Sequence, residues 1–399
     1  MTIKQLQRIT LERQGLLHTS PFGKGKVAVA KAIEHLGYLQ IDTLSIVERA
    51  HHHTLWTRIP DYKTAYLDEL VKEQKVFEYW FHAASYLPMS DFRFVLPQMS
   101  AVRENKSHYY NAAPRMMQYI METIQAEGAK KARDFEHVTK KAGSWWDWKP
   151  AKIALERLFL QGDLMISGRN GMEKTYDIAE RVLPGNIDLT LPDPLEWACY
   201  LVKTYLRAYG FTTIKQITHL KKGAALRENV NIVLQEMLEE GIIQKIAIEG
   251  LAPVFIQSEL TDKIIRKNNS TVRLLSPFDN SIIHRDRIRQ LFNFDFRIEC
   301  YTPKEKRQYG YFCLPILFGD LFIGRVDCKA HRKAQQFELI SLYIENENIA
   351  IELWAKPFVQ QLKQFAKFNA CTSLKLTNVS PSKFINILKG MIQAYEEQS

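Results

Sequence analysis

Three stretches of the chain repeat one pattern of apolar and polar positions. Residues 29–36 carry apolar side chains three and four apart, close on Gly37, and run into Tyr38-Leu39-Gln40-Ile41-Asp42. Residues 154–161 close on Gly162 before 163–166, and residues 233–240 close on Gly241 before 242–246. The spacing predicts three amphipathic helices, each burying one stripe. The glycine supplies the left-handed residue that ends a helix. In the second and third copies the strand continues into a hairpin. Gly168-Arg169-Asn170-Gly171 turns between 164–167 and 174–178, and Glu249-Gly250 turns between 243–248 and 253–257. Helix, glycine and hairpin form the ending of a winged helix. Helices that would precede it are predicted at 115–127, 195–209 and 214–220. Two or three tandem winged helices are therefore expected. Helix-plus-hairpin packing without DNA binding is the alternative at this point.

After residue 270 the pattern changes. Short alternating runs at 309–317, 321–329 and 338–344 predict strands, with Phe318-Gly319-Asp320 turning between the first two. Helices follow at 348–368 and 382–397. The expectation is a small β domain with helical ends. Linkers are expected at 184–194 and 267–270.

Composition narrows the class. At 399 residues, the chain has room for two to four domains. With 46% hydrophobic and 25% charged residues, it excludes wholesale disorder, collagen and coiled coil. No apolar run approaches the ~20 residues of a membrane span, and no secretion signal is read at the N-terminus. The cysteines are five, an odd number, and none forms C-x-x-C, which argues against a disulfide framework or a thiolate zinc site. Reduced, buried cysteines in a cytosolic protein are expected. The net charge of +10 favours a polyanionic partner.

Motif chemistry excludes more than it admits. His51-His52-His53 are adjacent, so their rings point different ways on a helix and cannot share one metal. There is no H-E-x-x-H, no Walker loop, no G-x-S-x-G, and no G-x-G-x-x-G opening a helix. Gln40-Ile41-Asp42 stands out. Alternation places Gln40 and Asp42 on one face of a strand end. There an amide and a carboxylate can hold a water and stabilise a neighbouring cation. The alternative is that Asp42 merely caps the segment 43–58. Residues 77–86 mix acid, imidazole and aromatic groups, suited either to stacking on an unpaired base or to a core strand with Trp80 buried. Basic segments occur at Lys130-Lys131-Ala132-Arg133, Lys140-Lys141, Arg285-Asp286-Arg287-Ile288-Arg289 and Lys304-Glu305-Lys306-Arg307. Each alone is a solvated face; together they suit a long phosphate-tracking groove.

Several stretches then carry a resemblance. These are Leu39-Gln40-Ile41-Asp42, residues 48–58, residues 77–84, residues 175–184, Leu274-Leu275-Ser276-Pro277-Phe278-Asp279-Asn280, residues 306–317 and Gly324-Arg325-Val326-Asp327. In this order the chain resembles the crosslink-repair DNA glycosylases of the AlkZ/YcaQ type. The resemblance implies an α+β protein of three tandem winged helices and a C-terminal β-barrel-like domain with helical ends. The corresponding boundaries are 1–112, 113–190, 191–268 and 269–399. It further implies a catalytic pair, Gln40 and Asp42, of the Gln-x-Asp branch, which is associated with removal of alkylated purines and crosslink unhooking. One departure is Ile282-Ile283-His284 after Asn280, expected to touch the β domain and not the catalytic pair.

The residues agree with that chemistry independently. An N7-alkylated guanine is already cationic and leaves without a general acid. One carboxylate with a hydrogen-bonding neighbour therefore suffices, whereas ordinary glycosidases use two carboxylates. No lysine is evident beside the pair, so hydrolysis without strand cleavage is expected, with no cofactor and no metal. A crosslinked base cannot be flipped into a closed pocket, so an open cleft is expected. The expected DNA contacts are His51, Arg58, Trp80, His82, Arg285, Arg287, Arg289, Lys306 and Arg307. The apolar tip of the third hairpin, with Leu251 and Pro253, is expected to project as a wedge. Otherwise Leu251 and Val254 pack against a neighbouring domain. The partner is then double-stranded DNA with alkylated or crosslinked bases, and the protein a cytoplasmic, nucleoid-associated monomer that touches no membrane. A non-enzymatic winged-helix regulator is the competing reading, and a basic scaffold the third.

Overall fold

The computed structural model describes residues 1–106, 112–135, 149–221, 224–266 and 271–396. Lys140-Lys141 and the linker expected at 267–270 lie outside them. Three small antiparallel sheets share one strand order. The first joins β1 (Leu39–Gln40), β2 (Val76–Trp80) and β3 (Ala84–Pro88); the second joins β4 (Lys130–Lys131), β5 (Leu164–Asn170) and β6 (Glu173–Ile178). The third joins β7 (Phe211–Thr212), β8 (Ile243–Ile246) and β9 (Val254–Gln257). Each time a two-residue strand lies against the second strand of a hairpin.

The helix–glycine–strand pattern sits differently in the first unit. Helix Gly25–Leu36 ends at Gly37, φ 80°, and leads to the short strand β1. Gly210, φ 77°, holds the same place between helix Pro194–Tyr209 and β7. The helix before the first hairpin is Ala65–Lys72, and its left-handed exit residue is Gln74, φ 56°. Gly162 and Gly241 occupy that position in the other two units. A pattern that relies on glycine passes over Gln74.

The expected β-barrel is corrected. Strands β10 (Val272–Leu274), β11 (Cys313–Phe318), β12 (Leu321–His331), β13 (Gln336–Ile344) and β14 (Ser373–Ser380) form an open five-stranded sheet in chain order. β13 and β14 are parallel, and helix Ile351–Phe368 crosses between them. That helix buries Trp354, Phe358, Leu362 and Phe365 in the core on the sheet. A sheet face covered by a helix has no need to close on itself.

The units interlock. Residues 43–49 form no helix, so Asp42 does not cap one; the helix begins only at Ala50. Instead Val47 is fully buried in the core of the C-terminal sheet, with Leu44 and Ile46 packed beside it. The Ala330 amide donates to the Ile46 carbonyl at 2.9 Å, and the Glu48 amide donates to Asn369 Oδ1 at 2.6 Å. The N-terminal helix Ile3–Arg13 joins the third sheet, burying Leu6 and Ile9 with Phe211 and Ile256. Among the described residues no helix is long and apolar enough to cross a membrane.

Candidate active site

Leu39 and Ile41 enter the core of the first unit, which leaves Gln40 and Asp42 pointing away from it. Gln40 lies opposite Ser85 on β3, and the Ile41 amide still donates to the Ala84 carbonyl at 2.8 Å. The β2–β3 turn brings His82 back over the strand, where its Nε2–H donates to Gln40 Oε1 at 3.0 Å. The amide of Gln40 is thereby oriented, with its NH₂ group turned from His82. Phe81 stacks on Tyr38 at 4.7 Å, which fixes the turn.

Asp42 is 7% exposed. Burial raises its carboxyl above the usual 3.8, while the Leu44 and Thr43 amides and the charge of Arg49 oppose that rise. Its Oδ2 has no hydrogen-bond partner among the described residues. Such a carboxylate, little solvated and only partly satisfied, interacts strongly with a cation placed beside it. Its charge reaches Cys300 and Tyr301, whose groups are raised first by burial and then by neighbours that include Asp42. Tyr301 is 78% exposed at this edge. Sequence alone gives no role to Arg49, which falls within the resembling stretch 48–58, and nothing in its local pattern marks the Cys300-Tyr301 loop.

Gln40 and His82 open onto a cleft of about 840 Å³. Its other walls are His219 and Lys245 of the third unit and His284 and Arg285 beyond β10. The Ile283-His284 departure therefore reaches the site after all. The one carboxylate on the cleft wall among the described residues is Asp286, already paired with Lys215 at 2.7 Å. A lysine does stand nearby. Lys221 Nζ lies 4.2 Å from the centre of the Phe81 ring, and burial pushes its pKa down to about 8.

Three expected DNA contacts are corrected by burial. Arg58 is fully enclosed, bonded to both oxygens of Asp279 at 2.7 and 2.9 Å and to the carbonyls of Gln14 and Thr54. Arg287 is buried and donates to Thr10 Oγ1 at 2.8 Å, Gln216 Oε1 at 3.0 Å and the Phe211 carbonyl at 3.1 Å. His51 is buried beside His52, and burial holds it well below the usual 6.5, hence neutral. Arg285, Arg289 and Lys306 are exposed, Trp80 is 36% exposed, and Arg307 is half-buried over the Tyr311 ring. Lys130, Lys131 and Arg133 pair with Glu127 and Glu173. The projecting wedge is corrected too. Leu251 packs on the core shared with the N-terminal helix and Val254 is buried in it, while Pro253 is exposed on the cleft wall. The apolar tip finds a protein surface within reach and covers it.

Helix Arg285–Phe292 separates these roles by its period: 285 and 289 face out, 287 and 291 face in. Arg287→Met should lower stability by at least about 2 kcal/mol, since several charge-assisted hydrogen bonds go at once. Thermal melting checks it. Replacing Arg285 and Arg289 together should leave melting unchanged and flatten the salt dependence of duplex binding by ~0.9 for each phosphate no longer neutralised.

The family model described as DNA glycosylase AlkZ-like matches residues 33–368. The chain belongs to the AlkZ-like DNA glycosylase family. The match spans Gln40, Asp42 and every wall of the cleft. The solved structure of the Streptomyces sahachiroi DNA glycosylase AlkZ is similar in fold, with a TM-score of 0.62 and 15% identity over 95% of this chain and 100% of that one. An AlkZ-like glycosylase holds DNA and breaks the bond between base and sugar. The cleft beside Gln40 is broad and basic, as a nucleic-acid substrate requires.

Proposed function

We propose that this glycosylase releases N7-alkylated purines and unhooks interstrand crosslinks by simple hydrolysis. Three winged helices, bounded near 1–112, 113–190 and 191–268, support the DNA, and the sheet domain of 269–399 supports the catalytic strand. The repeated strand order of the three small sheets favours that reading. As the C1′–N9 bond breaks, its electron pair passes to the base and neutralises the N7 cation. Asp42 stabilises the oxocarbenium-like sugar left behind. Gln40, held by His82, presents its NH₂ group to the attacking water, whose oxygen bonds to C1′ as one of its protons passes to the Asp42 carboxylate and then to solvent. The observation that carries this reading is Asp42 itself: a buried carboxylate with one unsatisfied oxygen, two residues after an oriented amide. The cleft wall offers no free acid as proton donor among the described residues, which suits a leaving group that needs none. The chain works as a monomer on nucleoid DNA.

The test is a duplex carrying one N7-methylguanine. Free base and alkali-labile sites without direct strand cleavage are the expected products. Duplex binding with no base released would favour the regulator reading.

A further inference from the structure

Next to Gln40 the cleft wall gathers imidazoles from three separate parts of the chain. His82 comes from the β2–β3 turn, His219 from the segment after helix Ile214–Ile217, and His284 from the start of helix Arg285–Phe292. The His219 and His284 rings are 5.1 Å apart. His284 is buried, and its Nε2 has no hydrogen-bond partner among the described residues. Lys215, Lys245 and Arg285 stand on the same wall. Asp286, the carboxylate there, is occupied by Lys215. The cluster thus gathers imidazoles and cations with no free carboxylate beside them among the described residues.

We infer that His219 and His284 form a subsite for one backbone phosphodiester of the bound DNA, adjacent to the Gln40 amide. This rests on the glycosylase reading above and names where the strand is gripped. Phosphate oxygens accept from imidazole N–H groups, and a bound anion makes the protonated ring favourable. Without it the cluster stays uncharged. Burial lowers His284, and His219, Arg287, His82 and Lys221 add to that; burial and then Lys221 lower His219, against which Asp286 acts. His82 falls to about 3 through burial, Lys221 and His219. The remaining groups packed around His284 are Tyr205 and Tyr209 of helix Pro194–Tyr209. They are held protonated and neutral by burial. His219 is only partly buried, unlike His284, so it is the ring able to take up a proton as phosphate arrives.

The test measures binding of an undamaged duplex across a salt series at pH 6 and pH 8. The full chain should show a salt slope steeper at pH 6 by ~0.9, one additional phosphate neutralised. His219→Gln should give the shallow slope at both pH values with its melting temperature kept. His219→Lys, a cation at either pH, should give the steep slope at both. A wild-type slope independent of pH overturns the subsite, as does a His219→Gln variant that retains the full pH difference. Base release from the N7-methylguanine duplex, run in parallel, separates the two failures. Release with a pH-independent slope removes only the subsite, whereas no release removes the reading beneath it.

Discussion

Asp42→Asn should slow base release by two or more orders of magnitude, with DNA binding unchanged or tighter. A carboxylate facing a cationic sugar in a poorly solvated site contributes several kcal/mol, and ~1.4 kcal/mol is tenfold in rate. Gln40→Ala should be milder, because an amide orients water without carrying charge. The pH profile follows from burial. The carboxyl of Asp42 lies above the usual 3.8, and only its ionised form stabilises the sugar. Activity should therefore fall on acidification, starting at a higher pH than an exposed aspartate would give. Single-turnover release from the N7-methylguanine duplex measures both effects. An Asp42→Asn variant that keeps the parental rate would reduce this carboxylate to a local loop fastener for Thr43 and Leu44.

The second large effect is on stability. Arg58→Met should cost about 3–5 kcal/mol, because it strands Asp279 without its cation in a dry interior. The pair is fully enclosed and ties the end of the His51-His52-His53 helix to the segment after β10. Burial alone would raise Asp279, but the charge and hydrogen bonds of Arg58 and those of Ser281 hold it below the usual 3.8. Its contribution is therefore present at any pH above that value and is lost only in stronger acid. Denaturant or thermal unfolding of Arg58→Met, Asp279→Leu and the double variant measures the pair. The double variant should recover part of the loss, and additivity of the two single losses would show that the pair is not coupled.

Much of this arrangement is legible in the sequence, and the gaps have physical causes. Helix stripes ending at Gly162 and Gly241 mark the second and third hairpins because apolar spacing and a left-handed exit are local properties. The first hairpin lacks that mark because Gln74 adopts the left-handed exit without being glycine. Gln40 and Asp42 are visible through alternation and resemblance. Arg58 and Arg287 fall wrongly on the DNA face when charge is read as exposure. Their partners, Asp279, Thr10 and Gln216, are remote in sequence, so nothing local announces the burial. His219 and His284 are single histidines in unrelated segments, brought together only by the packing of the third unit on the chain beyond β10.

The loop 43–49 has a consequence for how the protein is made. It follows the proposed catalytic strand directly, yet its side chains lodge in a core built largely by residues 272–392. The Gln40-Ile41-Asp42 strand leaves the ribosome long before the residues that its flank must grip. The strand itself pairs within the first unit, but the loop that flanks the proposed catalytic aspartate is locked only once the distant sheet and its covering helix have followed.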